Sequence, residues 1–196
     1  VLFEWNKSNA IKHKFQSFQN ALVNITEVLS QNHYINEMEI VLKQYKDIVA
    51  KEIDNDNWGY AFNLMGLASL YNNIGLIKQA YMLNKEALSI SLKPESIEID
   101  ASNPYTGYNN LAVNYISLNN FTDAANSADS ALKYIMRCGN YTEYIRLLLK
   151  HVHIYNALGN YEKVEWSKKF SDSVQVIFKV IIDNYENREY ANNTLK

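Results

Sequence analysis

Leu67-Ala68-x-x-Tyr71-x-x-x-Gly75-x-x-x-x-Ala80-x-x-x-x-x-x-Ala87 recurs 44 residues further on as Leu111-Ala112-x-x-Tyr115-x-x-x-Asn119-x-x-x-x-Ala124-x-x-x-x-x-x-Ala131. A weaker copy follows after another 40 residues, as His151-Val152-x-x-Tyr155-x-x-x-Gly159-x-x-x-x-Val164-x-x-x-x-x-x-Ser171. Residue types held in register over three copies mark a unit that cannot bury its apolar face alone and stacks on its neighbours. Within each copy the large and small residues step at helical spacing, interrupted once by Gly or Asn. The pattern predicts an all-α chain of stacked antiparallel helix hairpins, an α-solenoid. It constrains architecture far more than chemistry.

Each repeated position has a packing reason. Ala68 and Ala112 are small where the two helices of a hairpin cross, and Ala80 and Ala124 are small on the facing helix. A larger side chain there would push the axes beyond the usual ~8–10 Å. Gly75, Asn119 and Gly159 stand where the first helix ends in a left-handed residue, which Gly or Asn supplies. Tyr71, Tyr115 and Tyr155 cover the seam one turn earlier, while Leu67 and Leu111 fill the core.

Periodicity extends the reading outward. Ile11, Phe15, Phe18, Leu22, Ile25 and Leu29 form one apolar stripe, and Ile35, Met38, Val41, Leu42, Tyr45, Ile48 and Val49 form a second. Residues 9–51 are therefore expected to form a divergent first hairpin or cap. Hairpins follow at 59–92, 105–135 and 141–172, with a C-terminal helix over 173–196, all in one domain. Residues 93–104 are expected to be loop. The polar stretch Asp54-Asn55-Asp56-Asn57-Trp58-Gly59 has acids and a Gly at three calcium-loop places. Trp58 and Met65, however, stand where ligands are required, so the stretch reads as a helix-capping linker.

Two prolines and six glycines fit long helices joined by short turns, and 15 tyrosines fit seams that keep a hydroxyl at the rim. With 19 Lys and Arg against 21 Asp and Glu, interspersed, the chain has a net charge of −2 and no basic stripe for a phosphate backbone. Nucleic acid is not the expected partner. The longest apolar stretch, Val174 to Ile182, is broken by Gln175 and Lys179 and is too short to insert into a bilayer. Asn-x-Ser/Thr sequons at Asn6, Asn24, Asn120, Asn140 and Asn192 are read as accidents of an Asn-rich chain, several of them falling at turns where Asn is wanted. Starting at Val1, the chain reads as a mature or excised fragment.

The strings Gly75-Leu76-Ile77-Lys78-Gln79-Ala80, Asn119-Asn120-Phe121-Thr122-Asp123-Ala124 and Gly159-Asn160-Tyr161-Glu162-Lys163-Val164 resemble the turn of the tetratricopeptide repeat family. The resemblance covers residues 59–172 and implies a right-handed solenoid that binds protein or peptide without catalysis or cofactor. Intervals of 44 and 40 residues exceed the family's ~34. They place added residues between repeats, as in the longer repeats resembling those of kinesin light chains. Val152, Val164 and Ser171 in place of Ala make the third copy look terminal. The stretch Trp166 to Ser173, followed by Tyr185-Glu186, resembles the exit from tetratricopeptide sensor regions of bacterial membrane-bound regulators. That implies a sensory or scaffolding part of a larger signalling protein, periplasmic in that setting. A cytoplasmic peptide-pheromone receptor or assembly scaffold is the first alternative and an all-α enzyme with an unrecognised site the second, and homo-oligomers are compatible with the binding readings.

In this family the first helix of each hairpin lines the binding surface. Helical steps along one face then select Phe62, Met65, Ser69, Asn72 and Asn73 in the first clear repeat. Thr106, Asn109, Val113, Ile116 and Ser117 follow in the second, and Arg146, Leu149, His153, Asn156 and Ala157 in the third. This mixed apolar and amide lining suits an extended peptide or a helix. Asn110, Arg146 and Lys150 resemble part of the clamp by which some members hold a chaperone's terminal carboxylate. Met65 and Ser69 stand where the other two clamp residues belong.

No catalytic constellation is found. His151 and His153 are two apart and cannot share a metal on a helix. Neither a Cys-x-x-Cys nor a phosphate loop occurs. Cys138, the one cysteine, is read as a half-buried structural residue, and the acid pairs Glu37/Glu39 and Asp54/Asp56 as linker or solvated groups.

Overall fold

The structure is a computed structural model that describes residues 21–22, 24–25, 28, 34–53, 58–100, 102–138 and 140–194. The first 20 residues and the Asp54–Asn57 linker therefore lie outside the described residues. Eight helices follow in order: α1 Ile35–Glu52, α2 Trp58–Asn73, α3 Ile77–Ser91, α4 Pro94–Ile99, α5 Ser102–Ser117, α6 Phe121–Cys138, α7 Tyr141–Ala157 and α8 Tyr161–Thr194. No strand occurs among the described residues. The chain divides into two compact units, residues 1–138 and 139–196.

Three hairpins, α2/α3, α5/α6 and α7/α8, turn in the same way. Gly75, Asn119 and Gly159 have φ of +79°, +56° and +68°, the left-handed region that most side chains avoid. In each turn the amide three residues beyond the helix reaches back to a tyrosine carbonyl. Leu76 N donates to Tyr71 O at 2.9 Å, Asn120 N to Tyr115 O at 2.8 Å, and Asn160 N to Tyr155 O at 2.9 Å. A second bond closes from the left-handed residue to Asn72, Ile116 or Asn156. These are Schellman turns, which satisfy carbonyls that a helix end leaves open. In two of the three the next helix starts on a side-chain cap, whereas Leu76 offers none; Asn120 Oδ1 accepts from Asp123 N and Asn160 Oδ1 from Lys163 N. Asn140 caps α7 likewise through Glu143 N. Asn120 and Asn140, two of the sequon asparagines, are thus helix caps.

In the first unit Ala68, Ala112, Ala80, Ala124, Ala87 and Ala131 are all completely buried, as their places in the crossings require. α2 lies at the centre, with Leu64, Leu67, Leu70 and Tyr71 among its many buried residues. α1 buries Met38, Leu42, Tyr45 and Val49 against it. Its face is narrower than the sequence stripe, because Ile35 and Ile48 are each 43% exposed. A charged cluster ties α1, α2 and α3 together: Lys46 Nζ and Tyr60 OH donate to the two oxygens of Glu86, at 3.0 and 3.2 Å. α5 packs close against the preceding hairpin at Gly107. A Cβ built there would stand 3.0 Å from Leu88 Cδ1 and 3.2 Å from Met65 Cε, so hydrogen is the side chain that fits without displacement.

Two expectations change. The 93–104 segment is not all loop: Pro94 opens the short helix α4, its missing N–H costing nothing at a first-turn position. Asp100 Oδ1 then accepts from Ser102 N to start α5. Nor does a separate helix begin near residue 173. α8 runs unbroken for 34 residues, because no Gly or Pro interrupts it and the Ser173 hydroxyl turns back to Lys169 O at 2.8 Å. At ~1.5 Å per residue it is ~50 Å long, twice its hairpin partner. In this second unit Leu147, Leu148, Ile154 and Val164 form the buried contacts, and His151 stands 1% exposed where the other copies have Leu.

Candidate functional site

α2 is buried on nearly every side. Only Phe62, Gly66, Ser69, Asn72 and Asn73 reach the surface, at steps that draw one narrow strip along the helix. Four of the five residues selected from the sequence for this repeat stand on that strip. Met65 does not: it is 3% exposed, because its methyl is pressed over Gly107 of α5. On α5, Thr106, Asn109, Asn110, Val113 and Ile116 are partly exposed and Ser117 is fully so. Several of the polar groups turn inward to their own helix. Ser69, Thr106 and Ser117 donate to Met65 O, Ser102 O and Val113 O, which hides their hydrogens and leaves their methylenes and oxygens outward.

The amides make a chain that periodicity does not reveal. Asn110 Nδ2 donates to Asn84 Oδ1 at 3.4 Å, Asn84 Nδ2 to Asn114 Oδ1 at 2.8 Å, and Asn114 Nδ2 to Asn72 Oδ1 at 2.7 Å. Asn84 and Asn114 are completely buried, at the meeting of α3 and α5. Elsewhere in the unit Tyr45 OH donates to Asn63 Oδ1 at 2.7 Å, and Asn63 Nδ2 to Gly59 O at 2.8 Å. Each buried amide is thereby satisfied, which low-dielectric burial demands. Asn72 and Asn110, selected as contact residues, carry structural bonds through this chain. The signal that could have revealed it is the placing of Asn84 and Asn114 one helical step from the repeated residues Ala80, Ala87 and Leu111, on faces where an apolar residue belongs.

In the second unit α7 presents Arg146, Leu149, His153, Asn156 and Ala157 to solvent, and Lys150 is partly covered. Arg146 is paired with Glu143 one turn away. Desolvation pulls the Lys150 ammonium below its usual pKa, and the Glu143 charge opposes that shift. A carboxylate ligand arriving here would meet Glu143 as well as the two cations. Asn110, the third residue of the clamp resemblance, lies in the first unit and points to Asn84.

A cleft of about 260 Å³ opens between α5 and α6 and was not singled out from the sequence. Tyr108, Leu111 and Tyr115 line it from α5, and Asp123, Asn126, Ser127 and Ser130 from α6. Both rings are held. Tyr108 stacks on Tyr134 with centroids 5.8 Å apart, while Tyr115 meets Tyr81 edge-on at 5.5 Å with their hydroxyls 3.3 Å apart. The bond to Tyr81, then burial, then the charges of Tyr81 and Asp123 push the Tyr115 phenol up to about 12. Burial and the Asp100 charge also raise the Cys138 thiol, which disfavours the reactive thiolate. No three His, Cys, Asp or Glu side chains gather to hold a metal among the described residues. None of the described helices is long and apolar enough to cross a membrane.

No family model and no curated protein matches the sequence. Solved structures do. The crystal structure of BtubC (BKLC) from P. vanneervenii is similar at 16% identity, over 90% of this chain and 88% of that one, with a TM-score of 0.46. A putative kinesin light chain from Podosopora anserina with nearly identical TPR-like repeats is similar at 13% identity, over 83% and 97%, with a TM-score of 0.35. The hairpins of the present chain are tetratricopeptide-like in their own right, by their Schellman turns and their buried small residues at the helix crossings.

Proposed function

We propose that the chain is a protein- or peptide-binding module and that the α2–α5 strip is its primary contact surface. The carrying observation is α2 itself. A helix buried on almost all sides keeps one strip of Phe62, Ser69 and Asn73 outside, beside Thr106, Asn109, Val113 and Ile116 of α5. Such a surface offers apolar anchors between amides and hydroxyls, the mixture that extended peptides and amphipathic helices use. Its backbone is rigid, since Gly107 and the asparagine chain lock α5 to α2 and α3, so little ordering entropy is lost on binding. The exposed α7 residues Arg146, Leu149, His153 and Asn156 form a second contact surface in the other unit. The resemblance of Trp166 to Ser173 supports a sensory or scaffolding role within a larger bacterial signalling protein.

The test is a peptide array probed with the chain, followed by calorimetry on the strongest binder. Ser69→Arg and Val113→Arg place bulk on the strip without touching a buried group. Each is expected to weaken binding at least about tenfold. Unchanged affinity in both variants, with helicity intact, would sink the assignment.

A further inference from the structure

The α5–α6 cleft shares no residue with the α2–α5 strip, and neither the seam tyrosine nor the Asn120–Asp123 cap accounts for Tyr108 and Ser127 in its lining. Tyr115 already meets the Tyr81 hydroxyl and Ser130 Oγ donates to Asn126 O at 2.8 Å, but three other polar groups keep bonding capacity. Asp123 accepts from Asn120 Nδ2 through Oδ2 at 2.7 Å, and Oδ1 accepts from no described residue. The hydroxyls of Ser127 and Tyr108 likewise bond to no described residue, although Ser127 is only 8% exposed. No Lys or Arg lines the cleft, so the Asp123 carboxylate meets no cation inside it. Two tyrosine rings, fixed by Tyr134 and Tyr81, line the same cleft, and Tyr115 is close enough to feel the Asp123 charge. At about 260 Å³ the space suits one side chain rather than a drug-sized ligand.

We propose that this cleft receives the ammonium group of a lysine side chain from an extended segment of a partner protein. Asp123 Oδ1 pairs with the charge, Ser127 Oγ and the Tyr108 hydroxyl accept its remaining hydrogens, and the tyrosine rings supply cation–π attraction. The aliphatic stem lies along Leu111. A compact ammonium with three rotatable donors fits a convergent set of separate acceptors better than a planar guanidinium does.

The test is two-dimensional NMR of the full chain, titrated with a blocked alanine pentapeptide carrying one central lysine. The same peptide with norleucine, which has the stem but no charge, is the comparison. The lysine peptide is expected to shift the amides of Tyr108, Tyr115 and Ser127 and to bind about fivefold tighter than the norleucine peptide. Asp123→Asn keeps an oxygen for Asn120, so α6 still starts normally, and it is expected to erase that preference. Tyr108→Leu, a variant in a different helix, is expected to weaken the lysine peptide as well. Equal binding of the two peptides, shifts confined to other surfaces, or a full lysine preference in Asp123→Asn would overturn the proposal. Spermidine shifting the cleft where the lysine peptide does not would overturn the protein-segment assignment. Ser69→Arg leaves the lysine titration unchanged, so failure of the strip and failure of the cleft are read separately.

Discussion

Replacing Asn114 by leucine, which has nearly the same shape, removes the centre of the asparagine chain without opening a cavity. Two bonds vanish, to Asn84 Nδ2 at 2.8 Å and to Asn72 Oδ1 at 2.7 Å, each worth ~1 kcal/mol net. The larger loss falls on Asn84. Its side chain is completely buried, so an orphaned amide there costs a further ~1–3 kcal/mol, whereas half-buried Asn72 is rehydrated. Asn114→Leu should therefore cost ~3–5 kcal/mol. Asn84→Leu should cost a similar amount, because it orphans the completely buried Asn114 oxygen. The double variant removes both buried amides and leaves only Asn72 and Asn110, which water reaches, so it should cost ~2–3 kcal/mol rather than the sum of ~6–10 kcal/mol. Urea unfolding followed by circular dichroism measures all four corners of the cycle, with the slope checked to confirm an unchanged unfolding transition. Hydrogen exchange in α3 and α5 gives an independent local reading. Single costs below ~1 kcal/mol, or costs that add within ~0.5 kcal/mol, would show that the amides neither pin the helices nor depend on one another.

Gly107→Val should destabilise the first unit by ~2–3 kcal/mol, because Leu88 and Met65 already stand 3.0–3.3 Å from the first carbon added; thermal unfolding checks it. His151→Leu, which restores the residue type of the other two copies at a position 1% exposed, should raise the melting temperature of the second unit by ~2–6 °C. Alkali should act through Tyr60 and Tyr115, both pushed up to about 12: burial leads for Tyr60, followed by the Glu86 carboxylate, and the bond to Tyr81 leads for Tyr115. The folded phenols hold their protons where the unfolded ones release them. Stability should be level below pH ~10 and fall as pH rises from there toward ~12. Phenolate absorbance alongside circular dichroism follows both events, and Tyr60→Phe with Tyr115→Phe should flatten the fall.

The repeated residues alone determine that this chain is built of helix hairpins. Gly75, Asn119 and Gly159 turn the chain because a left-handed φ excludes most other residues, and the buried alanines set how closely the helices cross. Both are local or nearest-neighbour constraints, so they are written in spacing. The accessible strip on α2 was legible for the same reason, apart from Met65, whose burial depends on a glycine 42 residues away. Tertiary structure decided what periodicity could not carry. It gave Asn72 and Asn110 partners on neighbouring helices, carried α8 without a break through residue 173, and brought Tyr108 and Tyr115 beside Asp123 and Ser127. These outcomes depend on which polar atoms meet across elements. Hydrogen bonds between helices obey distance and direction in space, and a one-dimensional pattern of residue types holds neither.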